Sequence, residues 1–519
     1  MTQRFDVVVV GGGHNALVAA AYLARAGRSV LVLERLDRLG GAAVSVTPFR
    51  GLGARLSRYS YLVSLLPDRI VADLGLRLAL RSRAVSSYTP TERAGRPASL
   101  LIEREPGAAT AASFRALTGA DADFAAWQRF YGELSLMAQA IAPTMTEQLP
   151  SREALRARVV ATAGERVWRQ VFDEPIGLAI EETFADDLVR GVVATDALIG
   201  THTSLRSPEL LANRCFLYHL VGNGTGEWRV PVGGMGAVTA ELIRAARDSG
   251  ATLRTGVEVT SVTADGTDAE IAYRDGDTEV RVGARHVLAG VAPAVLDRLR
   301  GRAATEPVGS QLKVNVLLSR LPKLRDGVDP RSAFAGTCHL DESYSELESA
   351  YQASVSGQLP DRLPGEMYCH TLTDKSILDD DLRGRGWHTL TLFGLHTPAG
   401  LLAGDGVADT LVRRYFAGLN RYLAEPIEDC LATDVDGRPC VEARTPTDIA
   451  AELAMPGGHI FHGDLAWPWL ADPADPWGVA TDVANVLVCG SGARRGGGVS
   501  GIAGHNAAMA VLATRPAGP

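Results

Sequence analysis

Short uninterrupted apolar runs alternate along this chain with segments whose apolar positions repeat at helical spacing, and glycines sit at many of the joints. Phe5–Val10 is β-branched and ends in three glycines, the pattern of a buried parallel strand. Asn15–Ala26, "NALVAAAYLARA", predicts an alanine-rich helix stopped by Gly27, and Ser29–Glu34, "SVLVLE", a second buried strand. Together they predict a right-handed βαβ unit of about thirty residues. The same logic returns after Trp228, where a glycine turn leads into a helix over about 237–247 and then a strand. Asp265-Gly266 and Asp275-Gly276 mark two hairpin turns between alternating segments, and "ARHVLAGV" reads as a return strand. Near the end, "NVLVCG" predicts a last strand beside the first, followed by a glycine loop and a small-residue helix.

The remaining stretches have other patterns. About 96–225 reads as largely helical, and "AWQRFYGELSLMAQAIA" has the spacing of an amphipathic packing face. From 311 to 454 strands alternate with short helices, "KVNVLLS" and "WHTLTLFGLH" being the clearest strands. An antiparallel sheet is expected there.

The first strand–helix turn carries Gly11-x-Gly13-x-x-Ala16. Gly11 permits the tight turn, Gly13 lets backbone approach a pyrophosphate, and Ala16 allows close helix–strand contact. The helix N-terminus adds free N–H groups and a partial positive charge for the phosphates. Glu34 closes the second strand about twenty residues on, placed to accept from ribose hydroxyls. This fingerprint serves NAD and FAD alike. Arg38 and Gly40-Gly41 follow Glu34 at once, as in many flavoproteins that close over the pyrophosphate.

The opening "VVVVGGGHNALVAAAYLARAGRSVLVLERLDRLGGAAVS" resembles phytoene desaturase-like flavoproteins, and more closely the pyridine nucleotide-disulfide oxidoreductase domain-containing subgroup. "LSRYSYLVSLL", "WRVPVGGMGAVTAEL" and "GSGARRGGGVSGIAGHNAA" resemble the same subgroup in the same order. The resemblance implies an α/β fold: a discontinuous glutathione reductase-type Rossmann FAD-binding domain (1–95, 226–310 and 455–519) plus a mixed α+β substrate domain (96–225 and 311–454). FAD is the implied cofactor. Its expected contacts are Gly11, Gly13, His14, Asn15, Ala16, Glu34, Arg35, Gly40, Gly41 and Ala42, then Gly490, Val499, Ser500 and Gly501 around the isoalloxazine ring, with the Val259 backbone at the adenine. The closing helix would aim its N-terminus, around Ser500 and Gly501, at the flavin N1–C2 edge and stabilise the reduced ring.

Where many relatives carry Thr-His-Pro or Thr-Tyr-Pro before the glycines, this chain has Ala493-Arg494-Arg495. Arg494 is therefore a candidate for binding an anionic group on the substrate; the alternative leaves both arginines in solvent or paired with local acids. His462, in "GGHIFHGDL", is a candidate polar group beside the flavin. His459, His462 and Asp464 lie in a glycine-rich loop unsuited to a metal site, so no metal is expected. Trp467, Trp469 and Trp477 either wall an apolar cavity or pin a loop at a domain interface.

Composition narrows the partners. The net charge of -8 argues against nucleic acid. Lysine occurs only at Lys313, Lys323 and Lys375, and the six cysteines are scattered without a CxxC pair. No stretch reaches membrane-span length and the first residues lack an export signal's basic lead, so a cytoplasmic protein with at most peripheral membrane contact is expected. The expected activity is FAD-dependent removal of hydride from a mostly apolar small molecule. Redox-neutral isomerisation, amine oxidation and flavin binding without turnover are the alternatives. Oligomeric state is left open.

Overall fold

The computed structural model describes residues 3–402 and 406–514. Arg4–Val10 lies inside a seven-stranded sheet, with Val7, Val8 and Val9 wholly buried. It pairs in parallel with Val30–Leu33 on one side and with Thr278–Ala289 on the other. Parallel strands are covered on both faces, which is why this run carries no polar alternation. Thr252–Arg254 extends the sheet beyond Val30–Leu33, and Val257–Ala264 and Ala269–Asp275 form the expected antiparallel meander with Thr278–Ala289.

The last strand, Val486–Val488, pairs with Val287–Ala289 and not with the first strand. The cause is the length of Thr278–Ala289. Its first half closes the meander, and its second half, from Gly283, runs beside Arg4–Val10. The edge left open past Ala284 takes Val486–Val488.

Two helices cross closely above this sheet. His14–Arg25 packs against Ile502–Ala513, and a Cβ on Gly504 would collide with the Asn15 carbonyl. Met235–Asp248 packs on the same first helix, through Val238, Leu242 and Ala245.

A second seven-stranded sheet runs, in spatial order, Val441–Arg444, Leu312–Leu318, His388–Gly394, Gly365–Tyr368, Thr337–Leu340, Val85–Arg93 and Arg96–Glu103. All its pairs are antiparallel except that between Thr337–Leu340 and Val85–Arg93. The expected boundary at residue 95 therefore needs correction. Arg93 pairs with Arg96 across a tight turn, and a hairpin cannot be divided between two sheets, so the chain enters the second sheet at Val85. The helices between Ala108 and Leu220 share a core with this sheet through Leu100, Ile102 and Phe393. Ala122–Ile141 buries Trp127, Phe130, Leu134 and Met137, the packing face its spacing predicts. Among the described residues no helix is long and apolar enough to cross a membrane.

Candidate active site

A cavity of about 850 Å³ opens between the two sheets. That is within the range of cofactor and small-molecule sites, about 300–1,000 Å³. One end is built by the first βαβ unit. Gly11 takes a positive φ of 90°, and a Cβ on Gly13 would meet nothing within 4 Å, so the turn leaves open space in front of the helix. The helix starting at His14 has no side-chain cap and no acidic residue in its first turn. Its N–H groups are free for an anion.

Glu34 faces the same space. Its carboxylate accepts from the Gly12 N–H at 2.7 Å and the Leu36 N–H at 2.8 Å, tying the glycine turn to the end of the second strand. Asn15 is buried, yet neither side-chain polar atom has a partner. An orphaned amide, an uncapped helix end and an acid between two strand ends together fit the phosphates and ribose of a dinucleotide.

Most expected contacts converge here. Gly11, Gly13, His14, Asn15, Ala16, Glu34 and Arg35 line the cavity, as do Gly41, Ala42, Val259, Gly490 and Val499. Val259 does so beside a register shift in its strand. Gly40, Ser500 and Gly501 do not line it. Gly40 donates its N–H to the Gly12 carbonyl and braces the turn from behind. Ser500 is fully buried and its Oγ accepts from the Ile502 N–H at 3.2 Å, just before the closing helix, so it is held inside the protein. Gly501, at φ 70°, abuts Val18 and Leu66. Gly497 and Gly498 take the cavity-facing places instead.

The two histidines at this end are neutral. His14 donates Nε2–H to the Gly498 carbonyl at 3.0 Å, and burial pushes its pKa down to about 4. His462 lines the cavity in a left-handed conformation, φ 65°, with Nδ1 unpartnered, and burial lowers it to about 4 as well. His459 faces away and accepts from the Phe461 N–H.

Arg494 does not reach the cavity. Its Nη1 donates to the Trp467 carbonyl at 2.9 Å, and its stem packs over Gly478. Arg495 is only 1% exposed and donates to the carbonyls of Thr144, Glu147 and Trp477 at 2.6, 2.7 and 2.9 Å. Neither arginine pairs with an acid among the described residues, because the loop turns both away from the flavin end toward a neighbouring shell of backbone carbonyls. The tryptophans follow them. Trp467 stacks on Trp469 at 5.0 Å and packs by Phe172, outside the cavity, and Trp477 packs against the first core. They pin a loop.

The other end of the cavity holds groups that no motif announced. Lys313 is 2% exposed near the start of Leu312–Leu318; its Nζ donates to Asn315 Oδ1 at 2.8 Å and stands 4.8 Å from the Tyr61 ring centre. Burial, partly opposed by the charges of Glu442 and Glu366, brings its pKa down to about 7. Glu366 accepts from the Tyr61 hydroxyl, and burial raises its pKa. A lone lysine inside the apolar "QLKVNVLLS" run is the signal the sequence offers for it.

Fold and site define a dinucleotide-dependent oxidoreductase. Residues 9–77 match the NAD(P)-binding Rossmann-like domain model and 69–326 the model of flavin containing amine oxidoreductases. An uncharacterised protein of Mycobacterium tuberculosis is 52% identical over 98% of this chain and 97% of its own length. Mouse pyridine nucleotide-disulfide oxidoreductase domain-containing protein 2 is 32% identical over 99% of this chain and 94% of its own. Putrescine oxidase bound to putrescine shares the fold, with a TM-score of 0.58 at 19% identity, covering 99% of this chain and all of that one. The chain belongs to the family of pyridine nucleotide-disulfide oxidoreductase domain-containing protein 2. It is an FAD-dependent oxidoreductase.

Proposed function

We propose that this enzyme oxidises a small molecule with an apolar body at a C–H bond held beside Lys313. The observation that carries the reading is the single cavity joining the uncapped glycine turn to a buried lysine on the facing sheet. Gly11, Gly13, Asn15 and Glu34 would hold the adenosine and pyrophosphate of FAD, and the Gly490–Val499 loop its ring. Bound there, FAD supplies a two-electron acceptor for the hydride equivalent.

Removing hydride also sets a proton free, and the protein must take it. Lys313 is suited to that work: its amine is neutral above about pH 7 and its Nζ is held by Asn315. Leu65, Val85, Ile102 and Phe393 line the same space and exclude water from it. A desaturation, as in phytoene desaturase-like proteins, suits this apolar wall. Amine oxidation is the second reading, favoured by the Glu366 and Asp196 carboxylates on the cavity wall.

Purified protein should release FAD on acid denaturation, and a substrate should bleach the flavin. Lys313→Met should keep FAD while slowing flavin reduction by about 10²–10⁴-fold, the usual contribution of a positioned base. The wild-type rate should rise with pH through about 7, as the ammonium deprotonates, and the variant should lose that limb. Wild-type rates in Lys313→Met would end the role of Lys313; a protein free of flavin would end the reading as a whole.

A further inference from the structure

Arg83 sits where the chain enters the second sheet, two residues before Val85, and both side chains line the cavity far from the glycine turn. The guanidinium lies 5.6 Å from the Tyr368 ring centre, and its one hydrogen bond among the described residues runs from Nη1 to Thr337 Oγ1 at 3.1 Å. Other arginines of the cavity are engaged. Arg104 pairs with Glu227, Arg298 with Glu306, and Arg35 donates to the Glu452 carbonyl. A guanidinium has five N–H donors in a planar fork. Arg83 is only partly buried, so its remaining N–H donors face the cavity and can be taken up by a ligand.

We propose that Arg83 forms an anion subsite that binds a carboxylate on the substrate, whose apolar body lies along Leu65, Val85, Ile102 and Val192. This rests on the oxidoreductase reading above and deepens it. A single planar fork matches the two coplanar oxygens of a carboxylate. The acids whose charges reach it are Glu366, Asp196 and Glu227, the last paired with Arg104. Burial pushes Asp196 up to about 7 and raises Glu366, whose carboxylate is already engaged by the Tyr61 hydroxyl. His339 is held neutral by burial. Arg83 itself is lowered by burial but starts so high that it stays cationic. Its charge is permanent.

Binding to the FAD-loaded enzyme is read from perturbation of the flavin spectrum by hexanoate and decanoate, against hexanol, decanol and decylamine. The carboxylates should bind at least about ten-fold tighter than the alcohols of equal length, as for charge-assisted hydrogen bonds. Arg83→Met should bring that ratio to about one with alcohol binding kept, and Arg83→Lys should retain part of it, because an ammonium lacks the fork. No carboxylate preference in the wild type, a preference surviving in Arg83→Met, or tighter binding of decylamine would overturn the assignment. Shifts in melting temperature by the same ligands read the subsite even in a preparation without flavin, so its failure is distinguishable from failure of the FAD reading.

Discussion

Glu34 does two things at once. It accepts from the buried Gly12 N–H and from Leu36, and it presents the rest of its carboxylate to the cavity. Glu34→Ala leaves the Gly12 N–H without an acceptor, at a cost of about 1–3 kcal/mol for a buried unsatisfied donor. Its ribose contact would go as well. The expected outcome is lower FAD occupancy together with a lower melting temperature of the apoprotein. Glu34→Gln keeps one acceptor oxygen and should fall between. Wild-type FAD occupancy and melting in Glu34→Ala would remove both roles.

Between elements, the contact between His14–Arg25 and Ile502–Ala513 depends on small residues. Gly504 lies directly against the Asn15 backbone, and Ala16, Ala19, Ala20 and Ala507 are 0–1% exposed. This crossing holds the first turn of the nucleotide-facing helix against the closing helix. Gly504→Ala must push the two apart, and overpacking of this kind costs about 1–3 kcal/mol. Gly132, within Ala122–Ile141, meets nothing within 4 Å. Gly132→Ala should therefore be neutral or stabilising, by up to about 1 kcal/mol from helix propensity. Thermal melts of the two variants decide it: equal effects would mean the crossing is not tight.

On the scale of the whole molecule, Arg495 is a tie. It joins the C-terminal glycine loop to Thr144 and Glu147, about 350 residues earlier, and to Trp477. Asn506 adds a bond to the Met145 carbonyl at 3.2 Å. The C-terminal glycine loop is thus fastened to the helices that share a core with the second sheet. Arg495→Met strands three carbonyls and should destabilise by about 3 kcal/mol or more, with charge-assisted bonds at about 1.5–3 kcal/mol each and not additive. Arg494→Ala loses one half-exposed bond and should cost about 1 kcal/mol or less. Denaturant unfolding checks the order. A larger loss in Arg494→Ala would reverse these roles.

The glycine turn, the two parallel strands, the meander and the closing helix could be read from the chain because each is a local pattern: apolar period, a stop, a φ that glycine permits. Most dinucleotide contacts came with them, since that site is made by backbone at the ends of those same elements. Local pattern could not say which edge was free for Val486–Val488, which depends on how far a strand two hundred residues earlier overruns its meander. Nor could it aim side chains in a loop. Arg494 and Arg495 are next to glycines that suit a flavin, yet both point to carbonyls supplied by distant segments. Lys313, Glu366 and Arg83 belong to three separate strands or strand ends, and only the second sheet's closure over the first brings them to one cavity. Sequence by itself determined the cofactor end, where periodicity and backbone carry the chemistry. The far end of the cavity was decided by tertiary structure, because its charges act through burial and distance, and neither is a local property of the chain.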